Sequence, residues 1–211
     1  MKRKMLSIVA SILAVLMLSV VLYSAEPLEL NGDFENVETV PENNILHKRL
    51  AAIDFKTESP LILPSKWTLN PTSSAKNGEF RLISDSSQAQ SGKNCVYLKG
   101  HLMAKSAIDV SEGDEMEISF YAKAPEKSTT IFYFYCYGKD EEGKIRNIGA
   151  LNFRSQPETE WKQYSATIKI PLKVRDKKLE RVIPAFTNLN GVYIDNFKLI
   201  HKKAEKKDST E

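Results

Sequence analysis

Alternation of apolar and polar residues is the dominant pattern from residue 66 onward. In EMEISFYAK at 115–123 every second residue from Met116 to Ala122 is apolar, and ATIKI at 166–170 repeats the pattern. A period of two is typical of a half-buried strand. Similar runs continue to residue 200, separated by turn-forming segments such as NPTSSAKNG, SEGD, APEKS and KDEEGK. Short strands at this spacing predict an all-β protein, an antiparallel two-sheet sandwich or a barrel.

One segment departs from the strand pattern. In PENNILHKRLAAIDFK at 41–56, four apolar residues from Ile45 to Ile53 recur at near-helical spacing. Asn43 or Asn44 just before them could cap a helix. We therefore predict a short helical insertion near the N-terminus of an otherwise β fold.

The chain begins with a segment that does not suit a β fold. Three basic residues at positions 2–4 precede an almost wholly apolar run from Leu6 to Tyr23. This pattern predicts that residues 1–25 are an export signal peptide, so the protein is secreted or held in the cell envelope. The run is also long enough to serve as an uncleaved membrane anchor, and both alternatives stay open. We expect the domain to occupy residues 26–200 and the charged tail 201–211 to be disordered.

The charge balance argues against a nucleic-acid partner. The full chain carries 30 basic and 27 acidic residues, and three of the basic ones lie in the N-terminal segment. The remainder holds equal numbers of both signs, whereas proteins that bind phosphate backbones usually show a basic excess. Its length suits one domain with its own core. Cys95 and Cys136 lie in strand-like runs, where they could form a disulfide or act as small core residues.

Each end of the expected domain places an acid within an apolar run. The first, LNGDFEN, contains Glu35, and the last, GVYIDNFKLI, contains Asp195. A period of two would put Asp195 in a row with Tyr193, Phe197 and Leu199. Because an unpaired buried carboxylate is costly, each acid needs a cation, backbone N–H groups or a metal ion. From spacing alone we favour an ion pair or a backbone cap.

An ordered set of motifs carries a resemblance to a known family. These motifs, all in this order along the chain, are LNGDFEN at 30–36, Trp67, SGKNCVYL at 91–98, VSEGDEMEISFYAKA at 110–124, TEWKQYSATIKIP at 159–171 and VYIDNFKL at 192–199. The set resembles the carbohydrate-binding modules of the family four, nine and twenty-two group. This resemblance implies a galactose-binding-like jelly roll and a polysaccharide or glycan partner. The chain departs from the usual pattern between Phe34 and Trp67, where a long insertion replaces a short loop.

The resemblance also implies a structural calcium ion that joins the two chain ends. By position, Glu35 and Asp195 match its side-chain ligands, and backbone oxygens near Asp33 and Lys93 match its carbonyl ligands. Calcium prefers such oxygen donors. With the resemblance, calcium becomes the favoured partner of the two acids. Its role would be structural and not catalytic.

A row of tyrosines is the candidate ligand-binding site. In TIFYFYCYG, Phe132, Phe134 and Cys136 alternate with Tyr133, Tyr135 and Tyr137. If the phenylalanine row faces the core, then the tyrosine row faces outward, where its rings could stack on sugar rings. We expect further contacts on that face from Tyr121, Lys123, Asn152 and Arg154. Alternatively, the insertion or another strand covers the tyrosines. Trp67 and Trp161 are expected to pack in the core.

No catalytic constellation is visible. The three histidines, His47, His101 and His201, are scattered, and metalloprotease, serine-hydrolase and Cys-x-x-Cys motifs are missing from the sequence. We therefore predict an exported, non-catalytic carbohydrate-binding module. The alternative is a cell-envelope structural or adhesion sandwich without a sugar site.

Overall fold

The structure is a computed structural model that describes Ala25 and residues 27–204. The predicted signal peptide or anchor and most of the charged tail lie outside these residues. The described part holds one α-helix, α1 (Ile45–Ala51), and a 3-10 turn, Ser73–Ala75. Its strands are β1 (Val37–Thr39), β2 (Lys56–Thr57), β3 (Ile62–Pro64), β4 (Trp67–Leu69), β5 (Glu79–Ser84), β6 (Asn94–Ala104), β7 (Ile108–Asp109), β8 (Glu115–Lys123), β9 (Thr130–Lys139), β10 (Ile145–Ser155), β11 (Lys162–Lys169), β12 (Lys173–Val174), β13 (Lys177–Lys178) and β14 (Arg181–Lys202). No helix in that part is both long and apolar enough to cross a bilayer.

The main strands form two packed layers, which confirms the predicted jelly-roll sandwich. The first sheet has the order β10-β9-β14-β6-β4, and the second has the order β11-β8-β14-β6-β5-β2. Strands β14 and β6 occur in both, because the first half of β14 pairs with β9 and its second half pairs with β8. Except for the parallel pair β2–β5, the pairings are antiparallel.

The transition of β14 between the sheets depends on a bulge between Asn188 and Val192. The Asn188 side chain donates to Ser128, Thr129 and Thr130, and its Oδ1 accepts the N–H groups of Asn190 and Gly191 at 2.9 and 2.6 Å. These bonds satisfy every polar atom of a buried amide. The bulge therefore leaves β14 as one bent, continuous strand.

Large aromatic side chains fill the space between the sheets. Phe132 and Phe134 face inward from β9, and Phe132 packs against Phe186 and Phe197 at centroid distances of 5.1 and 5.4 Å. Trp67 is fully buried and donates its indole N–H to the Leu30 carbonyl at 2.7 Å. The prediction that Trp67 belongs to the core is confirmed. Fully burying one such ring stabilises the fold by about 1.5–3 kcal/mol.

The N-terminal insertion packs at one end of the sandwich. Helix α1 begins after Asn44, whose side chain accepts the N–H of Leu46 at 2.9 Å, so Asn44 provides the predicted cap. Leu46 and Leu50 are the buried residues of the helix. Phe55 follows and packs beside Gly78 and Gly100, where any Cβ would collide with its ring.

The two ends of the domain run side by side. Leu28 N–H bonds the Leu199 carbonyl, and Phe197 N–H bonds the Gly32 carbonyl, both at 2.8 Å. At the far C-terminus the structure differs from the expected disorder after residue 200, because β14 extends to Lys202. Asp114 holds this extension by accepting hydrogen bonds from His201 Nε2 at 2.7 Å and from the Ala204 N–H at 2.9 Å.

Candidate functional site

The tyrosine row lies on the outer side of the first sheet. The side chains of Phe132, Phe134 and Cys136 are buried, so Tyr133, Tyr135 and Tyr137 point away from the core and are half-buried. Tyr133 and Tyr135 stack with their centroids 5.7 Å apart and their planes within 7°. We call this outer side of β10, β9, β14, β6 and β4 the tyrosine face.

Strand register determines which residues share the tyrosine face. Asn152 lies opposite Tyr133 on β10, and Arg154 lies opposite Ile131. Both are exposed. On the other side of β9, Ala185 lies opposite Tyr133. The structure therefore brings together five of the six predicted ligand-binding residues, namely Tyr133, Tyr135, Tyr137, Asn152 and Arg154.

Tyr121, the sixth, is not on this face. Its strand, β8, pairs with β11 and β14 and belongs to the second sheet. The expectation that Tyr121 shares the tyrosine face was wrong, since β14 lies between β9 and β8. Lys123, which we also expected on the tyrosine face, occupies the outer side of the second sheet with Tyr121.

Lys123 packs between two aromatic rings on that opposite face. Its Nζ lies 4.8 Å from the centroid of Trp161 and 5.3 Å from that of Tyr193. Trp161 is half-buried, and its indole N–H donates to the Gln88 carbonyl at 3.2 Å. The prediction that Trp161 is a core residue was wrong. It instead holds the 85–93 loop against the second sheet.

The tyrosine face also has polar residues that sequence reasoning did not identify. Burial raises the pKa of Tyr135, while hydrogen bonds with the side chains of Asn70 and Thr187 oppose this shift. His101 bridges Thr187 Oγ1 at 2.6 Å and Ser74 Oγ at 2.9 Å. Burial also lowers the pKa of His101. The network ends in hydroxyl groups and has no carboxylate partner for the histidine.

These residues were missed because their grouping depends on strand pairing. Asn70 follows β4, Thr187 lies within β14, and His101 lies within β6. Nothing in the local sequence of Asn70 or Thr187 marks it as a neighbour of Tyr135.

The two predicted metal-binding carboxylates meet at the 85–93 loop. Glu35 Oε1 accepts the N–H groups of Lys93 and Asn94 at 2.6 and 2.8 Å. Asp195 Oδ2 accepts those of Gln90 and Ser91 at 2.9 and 3.0 Å. This is the backbone-cap arrangement that spacing alone favoured.

The environment of Asp195 departs from the period-two prediction. Asn196 has a φ of 50°, and the register of β14 shifts between Asp195 and Lys198. Asp195 therefore points to the outer side of the second sheet, under the loop, while Phe197 points into the core. Burial raises the pKa of Asp195 and the charge of Glu35 adds to this, although N–H groups of Ser91, Asn196 and Gln90 oppose it.

The donor set at this loop fits a hard cation in part. Asn94 Oδ1 is buried without a hydrogen-bond partner, and its amide nitrogen donates to the Phe34 carbonyl at 3.1 Å. An orphaned side-chain oxygen on the residue whose N–H bonds Glu35 is the kind of ligand that Ca²⁺ accepts. Asp33 is exposed and accepts the Glu35 N–H at 3.3 Å. Within Ala25 and residues 27–204, no three His, Cys, Asp or Glu side chains converge as a ready-made metal site.

Solved structures with a similar fold are distant in sequence. The xylan-binding CBM22-1 domain from Paenibacillus barcinonensis is 14% identical, with 71% of this chain and 91% of that chain covered and a TM-score of 0.45. A family-4 carbohydrate-binding module is 17% identical, with coverage of 82% and 98% and a TM-score of 0.44. The apo form of a cyclase from Fischerella sp. is 12% identical, with coverage of 87% and 99% and a TM-score of 0.48.

No curated protein sequence matches the chain. A family model does, with the description "Carbohydrate binding domain" and a match over residues 30–184. This range covers most of the chain and includes the tyrosine-bearing strand β9. The chain therefore belongs to the carbohydrate-binding domain family represented by modules of families 4 and 9, and it is a non-catalytic binding domain.

Proposed function

We propose that the protein binds a polysaccharide on the tyrosine face. The observation that carries this proposal is the parallel stack of Tyr133 and Tyr135 on an outward sheet surface of a carbohydrate-binding domain. Tyrosine rings offer an apolar surface to the C–H face of a sugar and a polar tip to its hydroxyls. Asn152 beside Tyr133 and Asn70 beside Tyr135 supply amide donors and acceptors at both flanks.

The shape of the site suits an extended chain more than a small molecule. The tyrosine row follows β9 for three alternating positions, and the neighbouring strands contribute small residues such as Ala150 and Ala185. Several sugar units could lie across such a surface, each making a weak contact. Xylan binding by the Paenibacillus barcinonensis domain makes β-1,4-linked xylan a reasonable member of a test panel.

Affinity gel electrophoresis on neutral and acidic polysaccharides tests the proposal. We expect retardation on at least one β-glucan, xylan or uronate-containing gel, and Tyr135→Ala should remove most of it. Loss of a central aromatic contact costs about 2 kcal/mol, or roughly 30-fold in affinity. Tyr121→Ala is the matched control, because it removes a half-buried tyrosine from the opposite sheet. No retardation on any gel, or equal retardation for both variants, would contradict the proposal.

We further propose that a structural Ca²⁺ ion binds between the two chain ends at the 85–93 loop. Glu35, Asp195 and the orphaned Asn94 Oδ1 would be its side-chain oxygens, with backbone carbonyls near Asp33 and Lys93. A bound divalent cation would offset the charge repulsion between the two carboxylates. Isothermal titration of chelator-treated protein with Ca²⁺ tests this.

We also propose that the protein is exported and is secreted or attached to the cell envelope. The support is the basic start at residues 2–4 followed by the apolar run to Tyr23. N-terminal sequencing of protein recovered from the culture medium and from membranes would distinguish cleavage from anchoring. Recovery of the intact chain from the cytoplasm alone would contradict export.

A further inference from the structure

The strand positions of the tyrosine face on β9, β10, β14, β6 and β4 carry basic residues, and the acid found on this side of the first sheet among the described strand positions is Asp109 on β7, opposite Arg181. By register, these positions are Ile131, Tyr133, Tyr135, Tyr137 and Lys139 on β9, with Asn147, Ala150, Asn152 and Arg154 on β10, Arg181, Ile183, Ala185 and Thr187 on β14, His101 and Met103 on β6, and Thr68 on β4. All of them lie within the described residues, and none is Asp or Glu. The whole chain outside its N-terminal segment is charge-balanced, so this face differs from the rest.

Arg154 is the basic residue most available to a ligand. It is exposed, lies two positions from Asn152 on the same strand, and makes no salt bridge among the described residues. The other two basic residues of the face have carboxylate partners at the rim. Arg181 pairs with Asp109 at 2.8 Å, and Lys139 lies 3.7 Å from Glu180.

A basic hairpin lies beyond the Tyr137 end of the row and packs on the side of β9 that carries Cys136 and Gly138, not on the side of the tyrosines. Strands β12 and β13 form it, with Asp176 as its single acid and Lys173, Arg175, Lys177 and Lys178 as its bases. The hairpin lies directly beside β9, because a Cβ on Gly138 would come within 2.1 Å of the Lys178 carbonyl oxygen. Glu180, just after it, donates its N–H to the Tyr137 carbonyl at 3.0 Å.

The hydrogen-bonding chemistry of the face favours a ligand rich in acceptors. A neutral sugar offers hydroxyl donors, which carboxylates would accept, but the carboxylate of Asp109 on this side of the sheet is paired with Arg181. A guanidinium fork instead matches a carboxylate and forms paired, charge-assisted hydrogen bonds with it. The face therefore combines aromatic rings that can stack on sugars with positively charged hydrogen-bond donors.

We propose that the glycan bound on the tyrosine face is acidic and carries uronic-acid carboxylates, one of which pairs with Arg154. This inference rests on the proposed function of the face, and it specifies the class of polysaccharide. The stacked tyrosines hold the sugar chain, and Arg154 selects chains that bear a carboxylate near Asn152. Because the contact is exposed, its contribution weakens as salt screens it.

The test compares each acidic polysaccharide with its own carboxyl-reduced form. Glucuronoxylan and polygalacturonate are used, with affinity measured at low and high salt. We expect the acidic form of at least one to bind about tenfold more tightly, as for a charge-assisted pair. Arg154→Gln should remove that difference in affinity between the acidic and the reduced form. Lys198→Gln, which removes an exposed charge from the opposite sheet, is the control.

The outcomes separate this inference from the proposed function. If the reduced form binds as tightly as the acidic form, or if Arg154→Gln keeps the full difference, then the acidic-glycan inference is wrong while sugar binding on the face stands. If neither form of any polysaccharide binds, both are wrong. Preference for the acidic form that Lys198→Gln abolishes as strongly as Arg154→Gln would also overturn the role of Arg154.

Discussion

Glu35 and Asp195, at opposite ends of the domain, hold the same loop from two sides. Glu35 accepts the N–H groups of Lys93 and Asn94, and Asp195 accepts those of Gln90 and Ser91. The loop thereby joins the first and last segments of the sandwich. A change that strengthens or weakens the hydrogen bonds of either carboxylate should consequently alter the free energy of unfolding of the entire domain.

Calcium should raise the melting temperature if it binds at this loop. At a free concentration one hundred times its Kd, a ligand that binds the native state alone adds about 2.7 kcal/mol to the free energy of unfolding. For a domain of this size that corresponds to roughly 5–10 °C. Because burial raises the pKa of Asp195, protons should compete with calcium in the acid range and weaken its binding.

Differential scanning fluorimetry with Ca²⁺ or EDTA measures this effect. Glu35→Gln should abolish the rise in melting temperature that Ca²⁺ causes. Asp33→Asn, at the exposed neighbouring acid, should leave most of that rise, because only the backbone oxygen of Asp33 is proposed as a ligand. Superimposable melting curves with Ca²⁺ and EDTA for the unmodified protein would contradict the calcium proposal. The backbone cap alone would then account for both carboxylates.

Gly32→Ala should strongly destabilise the domain. A Cβ at this position would lie 1.8 Å from the Phe197 carbonyl oxygen, so the N-terminal segment could not remain beside β14. We expect a loss of about 3 kcal/mol or more in the free energy of unfolding, as for severe overpacking. Gly143→Ala is the control: it has no atom within 4 Å, and its φ of 76° costs about 1–2 kcal/mol. Equal urea midpoints for the two variants would contradict the close approach.

The Asp114–His201 contact should make stability depend on acid pH. Burial of the Asp114 carboxyl would raise its pKa, but hydrogen bonds from Ala204, His201 and Ser111 outweigh this effect and hold the pKa below its usual 3.8. A lowered pKa contributes stability that is present above pH 3.8 and is lost as the pH falls through the folded-state value. Asp114→Asn should therefore reduce the loss of stability between neutral and acid pH. At pH 7 it should lower the free energy of unfolding by about 1–3 kcal/mol.

Urea unfolding between pH 2.5 and 7 measures this dependence. Asp109→Asn provides the comparison, because Asp109 is 83% exposed and its pairing with Arg181 should contribute at most about 1 kcal/mol. An unchanged pH profile for Asp114→Asn would show that the carboxylate does not hold the C-terminal extension.

Both cysteines should resist thiol reagents in the folded protein. Burial and the nearby charge of Asp195 raise the pKa of Cys95 to about 12, and burial raises that of Cys136. Because the thiolate is the reactive form, labelling with DTNB should be very slow until denaturant is added. Both thiols should then react. Rapid native labelling, or no labelling in denaturant without a reductant, would contradict the free buried state of the two cysteines.

The sequence pattern predicted individual elements better than their arrangement. Alternation in β8 and β9 identified inward and outward residues, and Asn44 was one of two expected caps of the helix. Tyr121 was misplaced because adjacent strands in the chain need not be adjacent in a sheet, and β14 separates β8 from β9. Asp195 was assigned to the wrong side because a single residue, Asn196, in a left-handed conformation shifts the register.

The tyrosine row itself could be predicted, since it lies within one strand. Its partners Asn70, Thr187 and His101 could not, because long-range pairing brings them together. Trp161 follows a turn signal at the start of a strand, where the sequence predicts a core residue. The structure instead uses its apolar ring and its indole N–H at the surface, against Lys123 and the Gln88 carbonyl.

Participation of β14 in both sheets has a consequence for how the chain folds. Residues 181–202 form the shared central strand, flanked by β9 and β6 in one layer and by β6 and β8 in the other. During synthesis, neither sheet can therefore form completely before residues 181–202 have been made. Until then the apolar faces of β8 and β9 remain exposed. Dependence on contacts between residues far apart in the sequence slows folding. It also leaves partly folded intermediates with exposed apolar surface, which are prone to aggregate unless chaperones bind them.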